Sequence, residues 1–127
     1  MNLEKVVFGF FIFMALTLNF GFVLGEIDNP AHHNTYELFA AIVVNLIAMV
    51  LKFGDRTQTG ALMLASSLVA VLQLGAAAVV WAYATHVSAS GLDALLMASI
   101  VSLAAGAVIA NVISVVLLIT DAVAMRR

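Results

Sequence analysis

Four apolar stretches, at roughly residues 6–25, 35–53, 61–84 and 92–120, take up most of this 127-residue chain. About 20 helical residues cross about 30 Å of hydrocarbon, so each stretch is long enough for one span. A backbone inside lipid finds no water to bond, and a helix satisfies its N–H and C=O groups internally. The expected fold class is therefore all-α, an integral membrane four-helix bundle. Its helices are predicted at about residues 3–25, 35–53, 58–86 and 92–122, and residues 1–127 form a single transmembrane domain.

The basic residues orient this arrangement. Lys5 precedes the first stretch, Lys52 and Arg56 lie between the second and third, and Arg126 and Arg127 follow the fourth. The other two connections contain no Lys or Arg. Basic residues are retained on the cytoplasmic face, so both termini are expected in the cytoplasm. The short turns and strict charge sidedness suggest a prokaryotic inner (plasma) membrane. They also disfavour dual insertion, so any homo-oligomer is expected to be parallel.

Composition removes several function classes. Apolar residues make up 65% of the chain and charged residues 9%, far from the balance of a water-soluble domain. Four spans and their turns account for the whole length, which leaves no expected soluble catalytic domain. No basic tract is long enough for a nucleic-acid partner. Cysteine is absent, so disulfides, thiol nucleophiles and iron–sulfur clusters are excluded. The first apolar run exceeds a signal-peptide core and lacks a small-x-small cleavage site before Glu26, so it reads as a retained helix. No Ser-His-Asp set, phosphate-binding glycine loop or HExxH motif is present, and no enzymatic activity is expected.

Local signals place the helix ends. Asn34 with Glu37 three residues on reads as a capping-box variant opening helix two, and Ser90 with Asp93 as a second cap. Helix one holds six of the eight phenylalanines, which suits a lipid-facing position. In helix four, Ala98, Ser102, Gly106, Ala110 and Ser114 put a small residue at every fourth position. Such a seam lets two backbones approach closely in lipid, either inside one protomer or between subunits. The runs 45–55 and 111–121 share an Asn at the start and an Asp at the end. That match suggests a parallel repeat of two helical hairpins, with Asn45 and Asn111 at similar depth. Asp55 and Asp121 then fall at the cytoplasmic end, solvated or paired with Arg56, Arg126 or Arg127.

The polar groups suggest three functions. Glu26, Asp28 and Glu37, with no base nearby, would concentrate cations at a pore mouth. Asn19, Asn45, Gln73 and Asn111 are candidate polar lining deeper in the membrane. This pattern favours a small oligomeric, cation-selective ion channel whose partners are lipid, its own copies and inorganic cations. An accessory or scaffolding subunit of a larger membrane complex is the second reading. A divalent metal bound by the outer-loop His32, His33 and His86 is the third, with no other cofactor expected. No ionisable group falls at mid-span, which argues against a proton-coupled pump. Small multidrug exporters are similar in size and helix number but depend on a Glu within helix one. Here that helix offers only Asn19.

Overall fold

The computed structural model describes residues 3–125, and its helices are α1 (Leu3–Val23), α2 (Thr35–Lys52), α3 (Gln58–His86) and α4 (Ala94–Met125). Arg126 and Arg127 lie outside the described residues. All four helices are long and apolar enough to cross a membrane. α1 packs on α2 and α4, α2 also packs on α3, and the most extensive contact joins α3 to α4. One end of the molecule, the basic end, has Lys5, Lys52 and Arg56. The other, the acidic end, has Glu26, Asp28, Glu37 and Asp93.

Helix boundaries follow local chemistry. α1 stops at Val23, two residues before the expected Gly25, because Gly25 takes φ +97°. A Cβ there would meet His32 at 2.7 Å, so glycine is required on both counts. A 3-10 turn at Pro30–His32 follows, held by Ala31 N–H donating to Asn29 Oδ1 at 3.0 Å. α2 is capped by Asn34, whose Oδ1 accepts from Tyr36 N–H at 2.8 Å. Glu37 does not complete the capping box, and its carboxylate turns instead to Gly21 of α1.

The turn into α3 is a small network. Asp55 Oδ1 accepts from both Thr57 N–H and Thr57 Oγ1–H, and Thr57 Oγ1 accepts from Gly60 N–H as the N-cap. α4 begins at Ala94 rather than residue 92, because Asp93 is its cap. Oδ1 of Asp93 accepts from Leu96 N–H at 2.9 Å, while Ser90 Oγ–H supports Oδ2 at 3.0 Å. The capping role expected of Ser90 therefore belongs to Asp93, one residue before the helix.

The interior divides into two apolar clusters. One, toward the acidic end, gathers Phe22, Leu38, Ala70, Leu74, Met97, Ile100 and several alanines. The other, toward the basic end, gathers Phe8, Ile12, Ala15, Val44, Ala48, Met63 and Leu118. Alanines 70, 77, 104, 107 and 110 are at most 4% exposed, and their small size lets α3 and α4 pack closely. On α4 the inward stripe is Ile100, Ala104, Ala107, Asn111, Ser114 and Leu118, with alternating steps of four and three. Steps of four alone advance about 40° each around a helix. The Ala98–Ser114 seam therefore winds off the inward face: Ala110 and Ser114 are buried, Ala98 and Gly106 half-buried, and Ser102 exposed.

Candidate functional site

Two polar regions carry chemistry: the loop after α1 and the polar groups enclosed between the helices. In the loop, His33 is 4% exposed and both its ring nitrogens face backbone carbonyls. Nδ1 lies 2.6 Å from Phe22 O and Nε2 lies 2.7 Å from Glu26 O. Phe22 belongs to the last turn of α1, whose carbonyls lack helical partners, so the His33 ring caps the end of that helix. His32 does the reverse: its Nδ1 accepts from Glu26 N–H at 2.8 Å. The two histidines thus grip the N–H and the C=O of one residue, Glu26.

The three histidines expected as metal ligands are used differently here. Both nitrogens of His33 and the Nδ1 of His32 are already engaged with the backbone. His86 stands five residues beyond Trp81 along α3, and it is Trp81 that meets Phe22, with ring centroids 6.2 Å apart. Among the described residues, no three His, Asp or Glu side chains come together as a metal site.

The acidic candidates separate into two situations. Glu26 and Asp28 are exposed on the loop, whereas Glu37 is half-buried between α2 and α1 against Gly21. Asp93 joins them at this end, and its carboxyl is held below the ordinary carboxylate value by the Leu96 N–H and then by Ser90. Asp55 at the basic end is lowered in the same sense, first by the Thr57 hydroxyl and then by its N–H. The end aspartates were expected to be solvated or paired with Arg56, Arg126 or Arg127, the last two of which lie outside the described residues. Among the described residues, Lys5 pairs with Asp121 at 2.9 Å across α1 and α4, and Lys52 reaches Asp55 at 3.7 Å. Lys52 also lies 4.2 Å over the Phe8 ring, beside a cleft of about 660 Å³ lined by Glu4, Val7, Leu51 and Asp55 among others.

Three of the four candidate lining residues are enclosed. Asn19, Asn45 and Asn111 are each 0% exposed, so within one protomer they face neither lipid nor a neighbouring subunit. Asn19 of α1 reaches the backbone of α4: with its amide turned so that each group meets its complement, Nδ2 donates to Ala104 O at 3.2 Å and Oδ1 accepts from Val108 N–H at 3.1 Å. It therefore bonds both ends of one i,i+4 pair in the neighbouring helix. Asn45 Nδ2 donates to Ala41 O at 2.8 Å, but its Oδ1 has no partner. Asn111 Oδ1 and Ser67 Oγ are likewise buried without partners. Ser66 donates to Met63 O and meets the Ser114 hydroxyl across α3 and α4.

Gln73 differs from the asparagines. It is half-buried, lies against Gly106, and lines a groove on the α3–α4 surface with Val69, Leu72, Ala76 and Leu103. Ser66 and Ser67 lie seven and six residues before Gln73 on α3. The fold separates them, Gln73 to the surface groove and the serines to the interior.

A family model described as a family of unknown function, DUF6394, matches residues 32–122, and the protein belongs to that family. The match covers α2, α3 and most of α4. No curated protein and no solved structure matches the sequence.

Proposed function

We propose that this member of the DUF6394 family is a small membrane protein that passes cations across a bilayer as a parallel homo-oligomer. In this reading the four helices form a bundle with both termini in the cytoplasm, and the acidic end faces outward. One observation carries it. Glu26, Asp28, Glu37 and Asp93 stand at one end with no Lys or Arg, while Lys5, Lys52 and Arg56 stand at the other. Carboxylates without compensating bases create a potential that gathers cations at that mouth. The enclosed asparagines bear on where such a path would run. Their amides point into the protomer's own interior, so polar lining favours passage within each protomer over passage along a boundary between subunits.

The test is flux from liposomes holding the purified protein. A cation gradient should collapse faster than in empty liposomes, and a chloride gradient should not. Glu26→Gln with Asp28→Asn should lower the rate and weaken discrimination between cations and anions. Equal leakage from protein-containing and empty liposomes, across several cations, ends the reading.

A second reading, a subunit that stabilises a larger membrane complex, is favoured by Gln73. An amide at mid-span in a surface groove beside Gly106 is well placed to bond a neighbouring helix. That neighbour belongs to a second copy in the first reading and to a different protein in the second. A homogeneous oligomer that keeps its size when purified alone supports the first.

A further inference from the structure

We propose that the cleft at the basic ends of α1 and α2 holds the headgroup of a phospholipid bearing both a phosphate and a primary ammonium, as phosphatidylethanolamine does. The cleft measures about 660 Å³ and is lined by the start of α1, the end of α2 and the turn that follows. Both helices are apolar enough to span, so their ends fall at the level of lipid headgroups.

Lys52 is the group that calls for a ligand. Its side chain is only 13% exposed, and its ammonium stands 4.2 Å over the Phe8 ring. Gly54 turns the chain with φ +88°, and Asp55 N–H donates to Lys52 O, which brings Asp55 back beside the lysine. Even so, Asp55 Oδ2 is 3.7 Å away, beyond hydrogen-bond distance. Among the described residues, then, no acceptor is within reach of an ammonium that has three hydrogens to give. Enclosing such a charge is costly without partners. The oxygens of a phosphate in the cleft would supply them through charge-assisted bonds.

The other charges decide which phosphate. Glu4 and Asp55 line the same cleft, so a bare anion would face two carboxylates against one ammonium. Asp55 Oδ1 is taken by Thr57, whereas Glu4 is exposed and can accept from a ligand. A headgroup with an ammonium a short linker away from its phosphate answers both signs. A primary ammonium donates to a carboxylate, which the trimethylated nitrogen of phosphatidylcholine cannot do. That nitrogen would seek an aromatic face instead, and Lys52 already covers Phe8.

The apolar walls fix the source as lipid. Leu3, Leu51 and Phe53 line the cleft and are exposed. Acyl chains cover such residues, and a water-soluble phosphoethanolamine leaves them bare. The site does not depend on conduction, because it requires only the basic ends of the spans at a membrane surface.

Native mass spectrometry of the full-length protein in mixed micelles tests it. Phosphatidylethanolamine, phosphatidylcholine and phosphatidylglycerol with matched chains are offered in equal amounts. Phosphatidylethanolamine should be retained preferentially, and Lys52→Gln should weaken its binding about tenfold. Glu4→Gln should narrow or reverse its advantage over phosphatidylglycerol. Glu4 is exposed, so that variant keeps the test alive if Lys52→Gln fails to fold. Equal retention of the three lipids overturns the site, as does a preference for phosphatidylglycerol in the parent protein. An advantage that survives Glu4→Gln unchanged overturns the pairing of the two charges. Glycerophosphoethanolamine displacing the lipid as well as phosphatidylethanolamine itself does would overturn the lipid as the source.

Discussion

Glu37 of α2 lies against Gly21 of α1, so closely that a Cβ built on Gly21 would come within 2.6 Å of Glu37 Oε2. The obstructing atom is the free end of a flexible side chain and can swing away. Gly21→Ala should therefore cost less than the about 1–3 kcal/mol common for overpacking. Gly25→Ala is expected to cost more, about 1–3 kcal/mol, because φ +97° is strained for alanine and His32 closes the space. Thermal unfolding of the two variants in one detergent checks the order, and an equal loss in both would refute it.

The His33 ring holds Phe22 O and Glu26 O together. His33→Phe keeps an aromatic ring against Phe22 but removes the ring nitrogens that face the two carbonyls. It should cost about 1–3 kcal/mol, the penalty for orphaning a buried acceptor. His32→Ala should cost less, since its contact with Glu26 N–H is exposed and water can replace it. Proteolysis between residues 24 and 34 should rise in His33→Phe before it rises in His32→Ala.

Asn19 bonds the α4 backbone at Ala104 and Val108. Interhelical hydrogen bonds within membranes contribute about 0.6 kcal/mol on average and up to about 2 kcal/mol. Asn19→Ala loses those bonds and leaves a void, so a cost of about 1–3 kcal/mol is expected from unfolding in mixed micelles. Hydrogen exchange at Val108 should accelerate in the same variant, and unchanged exchange would show that the amide bond contributes nothing there.

Asp55 and Asp93 have carboxyls lowered from 3.8 by their turn and cap donors. A group depressed in the folded state contributes stability above its unfolded value and loses it as pH falls through the folded one. Both contributions are therefore complete at neutral pH and disappear below about pH 4. Asp93→Asn should flatten the acid limb of a Tm-against-pH curve between about pH 4 and 2. An acid limb identical to that of the parent protein would contradict the role of the cap.

The sequence has no cysteine, so single cysteines report sidedness cleanly. A membrane-impermeant thiol reagent should label Asp28→Cys in intact cells and Arg56→Cys only after permeabilisation. The opposite pattern would invert the acidic mouth.

The four spans were legible because long apolar runs leave little choice of structure, and helix bounds agreed within three residues at each end. The caps at Asn34 and Thr57 sit where short polar side chains precede apolar runs, and only the first of these stood out in the sequence. What stayed hidden depends on rotation about each helix axis. Apolar residues surround every span, so no amphipathic stripe announces which face turns inward, and the Ala98–Ser114 seam marked spacing rather than direction. Asn45 and Asn111 were visible as a matched pair, yet their enclosure and their unpartnered oxygens follow from packing. The grip of His32 and His33 on Glu26 needed the 3-10 turn at Pro30–His32, which composition showed only as a loop.

The ion pair of Lys5 with Asp121 keeps α1 and α4 level at the basic end, yet α1 and α2 have 21 and 18 residues against 29 and 32 in α3 and α4. At about 1.5 Å per residue, the second hairpin outreaches the first by more than two turns, and α3 runs five residues past Trp81. Lipid meeting the short flank must thin, while the long flank invites tilt or a thicker leaflet. Embedded as proposed, such a molecule would carry a lateral thickness gradient of its own, and the proposed homo-oligomer would then respond to acyl length.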